Sequence, residues 1–295
     1  MSQENAVTIL VPVDYSDQSI IALEQAVELS KAFHSKIHIL NVIAGDHSIR
    51  KLFRDEVKEA ELEKNVKVKL EALATATAEK YDVEISHGVA HGKIYDQIVN
   101  AANVLDSSFI VMGTNGSVGL KGRFIGSNAL RVVRESKIPV ITIKGKSHRK
   151  GCQNIVLPLD LTKETKEKVA RAVDFAKMFG STIRVVSVLL TNDEFIVNRL
   201  TRQLDQVKKY LGSQGVDSTA EIIKDTKGGG SLAEGIIDYS GKCKGDLIMI
   251  MTQQEGDSSD YFIGSTSQGI INNSDIPVLS IIPSVKKDTS VFNPY

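Results

Sequence analysis

The chain has 295 residues, more than a single hydrophobic core usually organises, so two domains are expected before any motif is read. Lysine plus arginine total 36 and aspartate plus glutamate total 36, with 18 of each sign on either side of the Lys146/Ser147 junction, and this balance removes the long-range attraction a nucleic-acid binder needs. Cys152 and Cys243 belong to no CxxC or Cys/His cluster, no basic region followed by a long apolar stretch opens the chain, and no apolar run approaches the ~18 residues of a membrane span, so a reducing, cytoplasmic setting is expected, with no membrane partner and no protein-built metal site.

The first predicted element is a continuous apolar strand from Thr8 to Val13. An amphipathic helix follows, with apolar positions at Ile20, Leu23, Ala26 and Val27, and then a second strand from Lys36 to Val42, which makes a βαβ unit. A helix through 52–80 carries RKLFRDEVKEAELEKNVKVKLE at its start. That run reads as a solvated face of mixed charge, and it could also dock a partner. A short strand near Val83 to Ser86, a helix from Lys93 to Leu105, a strand from Phe109 to Met112, a helix from Ser127 to Glu135 and a last strand from Val140 to Ile143 complete the series. Continuous apolar strands alternating with helices predict a doubly wound parallel sheet of five strands covered on both faces.

Two histidine pairs are spaced four apart. Gly88 and Gly92 argue against a helix that would turn His87 and His91 to one metal, and His34 and His38 straddle a helix end and a strand. Both pairs are read as structural or surface residues.

The pattern then repeats. Residues 7–42 match 153–188 without a gap at an offset of 146, setting Pro158 on Pro12 and Asp160 on Asp14. SSFIVMGTNG matches GDLIMIMTQQ at an offset of 138, which also sets Gly264-Ser265 on Gly126-Ser127 and Ile276-Pro277-Val278 on Ile138-Pro139-Val140. A shorter middle segment in the second copy accounts for the change of offset. The expected organisation is a domain over 1–146, a linker within GKSHRKG at 145–151, a second domain over 151–284 and a tail over 285–295.

After the fourth strand, Gly113-Thr114-Asn115-Gly116 is followed by nine residues and then Gly126-Ser127 at a helix start, a Gly-x2-Gly-x9-Gly-Ser loop. Glycines let backbone N–H groups approach an anion, and a helix start adds unpaired donors and a positive dipole end. Ser127 offers a hydroxyl, and Lys121 and Arg123 would neutralise phosphate charge. There is no Walker sequence and no GxGxxG after a strand, which disfavours ordinary P-loop hydrolysis and NAD binding. Asp14 has a second reading beside that of ligand, as a carboxylate capping the next helix near Ser16 and Asp17. The two roles can coexist.

VPVDYS, Gly92 before a helix in VAHGKIYDQIV, the glycine loop after IVMG and the closing IPVITI together resemble the universal stress protein family, nearly over the whole chain and twice. The resemblance implies two Rossmann-like, adenine nucleotide alpha hydrolase-like domains, with a role in stress response and ATP at the carboxyl ends of the strands. By motif position, Pro12, Val13, Asp14 and Val42 would hold the adenosine part, and Met112, Gly113, Gly116, Gly126, Ser127 and Asn128 would line the ribose and phosphates. Mg²⁺ or Mn²⁺ would arrive on the phosphates. In the family subunits often pair through the last strand, so IPVITI and IPVLSI would form a pseudo-dimer within one chain; a homodimer of whole chains and an unidentified protein partner are left open.

The second copy departs from the pattern. Met251 and Gln254 replace the first two glycines, and Glu255, Asp257 and Asp260 enter a loop in which Ser259 and Tyr261 stand where Lys121 and Arg123 do in the first. ATP is expected in the first domain only. No nucleophile–base pair is evident, so no catalytic residue is assigned and hydrolysis would at most be slow. A nucleotide-independent tandem scaffold, a receptor for another small ligand and a weak ATPase stand as alternatives.

Overall fold

A computed structural model describes residues 7–45, 56–114, 125–161, 165–190, 193–224, 230–252 and 263–282. The chain divides into two compact units, Met1–His148 and Arg149–Tyr295.

Unit 1 runs β1 (Thr8–Pro12), α1 (Asp17–Phe33), β2 (Lys36–Ala44), α2 (Glu56–Tyr81), β3 (Ile85–Gly92), α3 (Ile94–Val104), β4 (Ser107–Gly113), α4 (Ser127–Glu135) and β5 (Val140–Ile143). Its strands lie in the order β3-β2-β1-β4-β5, with parallel pairing throughout. Ile9, Leu10 and Val11 of β1 are fully buried, as expected of a central strand with helices over both faces. Leu23, Ala26 and Val27 put the apolar stripe of α1 into the same core, while Ile20 is half-buried. The Ser16 side chain caps α1 by accepting from Ser19 N at 3.2 Å, and His34 closes the helix in the left-handed conformation at φ 49, its N–H donating to Ser30 O.

Two readings change in extent. The third strand is longer than Val83 to Ser86, pairing with β2 from Ile37↔Ile85 to Ala44↔Gly92. Gly88 interrupts the apolar pattern because a Cβ there would stand 3.1 Å from His38 Nε2 on the neighbouring strand, so the glycine makes room for a ring and does not end the strand. The charged run begins at residues outside the described ones, and its helix is described from Glu56. The later part of α2 is not wholly solvated, because Leu70, Ala74 and Thr77 are buried.

Unit 2 repeats the plan with β6 (Asn154–Pro158), α5 (Thr165–Phe179), β7 (Thr182–Leu189), α6 (Glu194–Ser213), β8 (Ser218–Lys224), α7 (Leu232–Lys242), β9 (Leu247–Met251), α8 (Ser265–Asn273) and β10 (Val278–Ile281). The order is β8-β7-β6-β9-β10, again parallel. A capping box starts α7: Glu234 N donates to Ser231 Oγ at 3.1 Å and Ser231 N donates to Glu234 Oε2 at 2.9 Å.

The two units share one feature that makes room for a ligand. Strand order reverses between β1 and β4, and their ladder ends at Leu10↔Ile110 although both strands continue to Pro12 and Gly113. Likewise the β6–β9 ladder ends at Val156↔Ile248 while the strands continue to Pro158 and Met251. Strands that part at their carboxyl ends at a topological switch point open the crevice in which doubly wound sheets receive ligands.

Candidate functional site

In unit 1 the loop leaving β1 is fixed by its neighbour. Val13 N donates to Leu40 O at 2.8 Å, and Val13 O accepts from Asn41 Nδ2 at 2.7 Å. With Val13 only 2% exposed, this residue is a wall anchored through both backbone groups. The chain then turns through Tyr15 in the left-handed region at φ 63, whose phenol burial holds above its ordinary pKa. Asp14 is exposed, and its Oδ1 accepts from Ser16 N at 3.0 Å and from Ser16 Oγ at 2.5 Å. Ser16, not Asp14, caps α1, and the Asp14 carboxylate braces that cap.

On the β4 side, Gly113 ends the strand beneath α1. A Cβ on it would lie 3.0 Å from both the carbonyl carbon and the Cβ of Gln18, and backbone cannot swing aside, so only glycine lets strand and helix approach this closely. Thr114 ties the loop together. Its N donates to Ile143 O at 2.9 Å, its Oγ1 to Gln18 Oε1 at 3.2 Å, and its O accepts from Gly126 N at 2.7 Å. Gln18 Nε2 in turn donates to Lys144 O at 2.8 Å. Both ends of the segment 114–126 therefore meet across one hydrogen bond, beside the start of α4. Gly126 gives that helix no side-chain cap, and the first-turn N–H groups carry the positive end of its dipole.

The sequence-derived set is brought largely to one end of the sheet. Pro12 and Val42 are half-buried at the ends of β1 and β2, Met112 is buried on β4, Ser127 is exposed and Asn128 half-buried on the first turn of α4. Gly116, Lys121 and Arg123 lie outside the described residues, as do Gln254, Glu255, Asp257, Ser259, Asp260 and Tyr261 of the second loop. Sequence reasoning passed over Gln18, Asn41 and Thr114, which hold the loops in position. Asn41 carried a signal, being a polar residue inside the apolar run ILNVI.

Unit 2 has the same frame with different contents. Leu159 N donates to Val186 O at 2.8 Å, as Val13 does to Leu40, and Leu159 O accepts from Ser187 Oγ at 2.7 Å in the place of Asn41. Thr252 N donates to Ile281 O at 3.0 Å, as Thr114 does to Ile143. At the parted ends of β6 and β9 lies a cavity of about 100 Å³. Its apolar walls include Val186, Val188, Ile236, Ile270 and Met251, and its polar lining includes Asp160, Lys168, Thr266 and Ser267. Lys168 is 8% exposed and its Nζ donates to Pro158 O at 3.1 Å. Asp160 is half-exposed, and Ser267 Oγ donates to Met251 O at 2.9 Å. Lys168 was not singled out from the sequence, although the repeat sets it against Ala22, a fully buried residue of α1.

The histidines take separate contacts. His38 Nδ1 lies 2.8 Å from Ser86 Oγ, His91 Nε2 lies 3.1 Å from Glu63 Oε2, and His34 is the α1 C-cap. Burial, and then the charge of His87, lower the His38 pKa below its ordinary value. Among the described residues no three His, Cys, Asp or Glu side chains are grouped to hold a metal, and no helix is long and apolar enough to cross a membrane.

The model of the universal stress protein family matches residues 7–144 and again residues 151–281. The chain belongs to the universal stress protein family. It carries that family's domain twice, in tandem. A universal stress protein of Methanocaldococcus jannaschii is 29% identical over 147 residues, covering 46% of this chain and 81% of the relative. One from Bacillus subtilis is 31% identical over 145 residues, covering 46% of this chain and 97% of its own length. Among solved structures, a universal stress protein of Archaeoglobus fulgidus shares the fold with a TM-score of 0.74 at 21% identity, over 96% of this chain and 100% of that one.

Proposed function

We propose that unit 1 binds an adenine nucleotide, ATP with Mg²⁺ or Mn²⁺ carried on its phosphates, and that occupancy alters the surface of the loop between Gly113 and Ser127 offered to a protein partner in stress response. The observation that carries this reading is the parted β1/β4 crevice closed at one side by Gly113 and by the helix α4, which starts at Gly126 with no capping side chain. Membership of the family supports it. Pro12, Val13, Asp14 and Val42 form the adenosine side, and Met112, Gly113, Gly116, Gly126, Ser127 and Asn128 the ribose and phosphate side. The residues fit such a ligand: the glycines admit backbone donors to a phosphate, and Asp14 offers an exposed carboxylate to polar groups of the nucleoside. No protein carboxylate cage is needed for the metal, because a phosphate-borne Mg²⁺ keeps most of its ligands from phosphate and water. Unit 2 is left out of ATP binding in this reading because Met251 and Gln254 stand where the first two glycines of the loop are in unit 1.

The test is to denature freshly purified protein, identify released nucleotide by chromatography and mass spectrometry, and measure its stoichiometry. About one ATP or ADP per chain is expected. It should be absent from Gly126→Val, whose added Cβ would stand 3.1 Å from Thr114 O at the loop tie, and from Gly116→Val. Saturation at a hundred times the dissociation constant stabilises the site by about 2.7 kcal/mol, which raises the melting temperature of a domain this size by roughly 5–10 °C. No released nucleotide, together with no thermal shift in millimolar Mg-ATP, overturns the proposal and leaves a tandem scaffold.

A further inference from the structure

The outer strand of unit 1, β3, keeps every second pair of backbone groups turned away from the sheet. Its ladder with β2 runs from Ile37↔Ile85 to Ala44↔Gly92, and the phase is fixed at both ends by Ile37 N donating to Glu84 O at 2.9 Å and Gly45 N donating to Gly92 O at 3.4 Å. A strand offers its N–H and C=O groups to alternate sides, so this ladder uses those of Glu84, Ser86, Gly88, Ala90 and Gly92. The N–H and C=O groups of Ile85, His87, Val89 and His91 therefore point outward, and among the described residues no other backbone group bonds to them.

Sheet edges are normally guarded by a lysine, a proline, a bulge or another charge. β3 has none of these: ISHGVAHG contains no Lys, Arg, Asp, Glu or Pro, and its register with β2 is unbroken. The outer strand of unit 2 differs. β8, STAEIIK, carries Glu221 and Lys224, and the bond from Ile183 N to Asp217 O sets a phase that leaves Lys224 among the outward residues. The same place in the duplicated plan is guarded in one unit and bare in the other, so the bare edge is not a requirement of the fold.

We propose that β3 is the docking edge for a second copy of this chain, the two β3 strands pairing antiparallel about a twofold axis at Gly88. That register sets Ile85 opposite the partner's His91 and His87 opposite the partner's Val89. Each becomes a pair that exchanges N–H and C=O, so every outward group of both edges is used. Gly88 meets its own copy in a non-hydrogen-bonded pair, the closest approach in an antiparallel ladder at about 4.5 Å between Cα atoms, and neither strand has a side chain there. No charged residue within either strand loses water, and the His91 ring keeps its contact with Glu63 because only its backbone is needed. α2 packs on both β2 and β3, so strands about 4.8 Å apart bring α2 and its copy to about 10 Å, an ordinary helix packing distance. Pairing of one edge with itself uses up both edges, which gives a closed dimer and not a fibre.

The test is sedimentation velocity of the full chain from about 1 to 300 μM, with amide hydrogen exchange resolved to single residues at about 10 and 300 μM. One strand pair buries less than the ~1,600 Å² of a standard interface, so a dissociation constant on the order of 10–100 μM is expected. Exchange at His87 and Val89 should slow by about threefold in the concentrated sample, while Ser86 and Gly88, already bonded to β2, exchange slowly in both. Val89→Pro removes an outward donor that the ladder with β2 does not use, and it should sediment as a monomer. His87→Lys adds an edge charge at an exposed position, should have the same effect, and spares the fold if the proline does not. Ile222→Pro, the matching change on the outer side of β8, should leave the dimer unchanged. A monomer throughout the range, a dimer that survives both β3 variants, or slowed exchange confined to residues outside β3 would each overturn the proposal.

Discussion

Gly269 lets α7 and α8 of unit 2 approach closely, and its replacement by alanine tests that geometry. On α8, a Cβ added at Gly269 would stand 2.8 Å from the Cβ of Ala233 on α7, whereas carbon atoms in contact settle at about 3.5–4.0 Å. Both atoms are bonded directly to backbone, so no rotamer relieves the overlap and the helices must move apart by roughly 1 Å at that point. Forcing a methyl group into a packed contact costs about 1–3 kcal/mol, against a gain of up to about 1 kcal/mol from replacing glycine inside a helix. Gly212 on α6 is the control, because a Cβ there would meet nothing within 4 Å and only the gain remains. Gly269→Ala is therefore expected to be less stable than Gly212→Ala by about 1–3 kcal/mol, a difference in which the helix-propensity term largely cancels. Urea unfolding followed through the Ile236 and Ile270 methyl signals reports unit 2 alone. Because Ile236 and Ile270 sit on the same two helices and line the cavity, their native-state signals should shift as well. Equal stability of the two variants, within about 0.5 kcal/mol, would refute the close approach of α7 and α8.

Two further outcomes follow from protonation. Burial pushes the Cys152 thiol up to about 12, and the same cause raises Cys243 in a half-buried position, so neither forms thiolate readily near neutral pH. A disulfide-exchange reagent at pH 8 should label buried Cys152 only at the rate of unfolding and Cys243 faster; equal fast labelling of both would contradict the packing around Cys152. His38 is held below its ordinary value of 6.5 by burial and by His87, so the unfolded chain takes up this proton at a higher pH than the folded one. Stability from the neutral imidazole is full above pH 6.5 and is lost as pH falls through the lower folded value. The urea midpoint of unit 1 should decline over that range, and His38→Gln should flatten the decline; an unchanged slope in the variant would exclude His38 as the source.

Much of the frame was legible in the sequence because it rests on period and repetition. The helix Ser127 to Glu135 and the strand Val140 to Ile143 begin and end where apolar periodicity changes, and the offset of 146 aligns two strands and a helix without a gap. β3 was read short because its residues are half-exposed and include two glycines and two histidines, so pairing with β2, not hydrophobicity, decides its length. Gly113 was read from the sequence as a place where backbone approaches an anion, and the structure adds a packing reason, since a Cβ there would stand 3.0 Å from Gln18 of α1. What could not be read was the set of hydrogen bonds that joins distant segments. Thr114 and Gln18 are 96 positions apart and look like unremarkable polar residues until the fold brings them together. Lys168 was missed for the opposite reason: a lysine in an amphipathic helix is normally solvent-facing, and only the position of α5 over the end of β6 turns its ammonium inward.

The duplication lets each unit act as the control for the other. The backbone bonds that define the crevice are conserved between them to within 0.1 Å: 2.8 Å for both Val13 N to Leu40 O and Leu159 N to Val186 O, and 2.9 and 3.0 Å for the bonds made by Thr114 N and Thr252 N. Since the frame is unchanged, any difference in what the two crevices accept must come from the side chains that line them. Gly113 of unit 1 is matched by Met251, which lines the unit 2 cavity, and Ala22 by Lys168, whose Nζ donates to Pro158 O at the strand end.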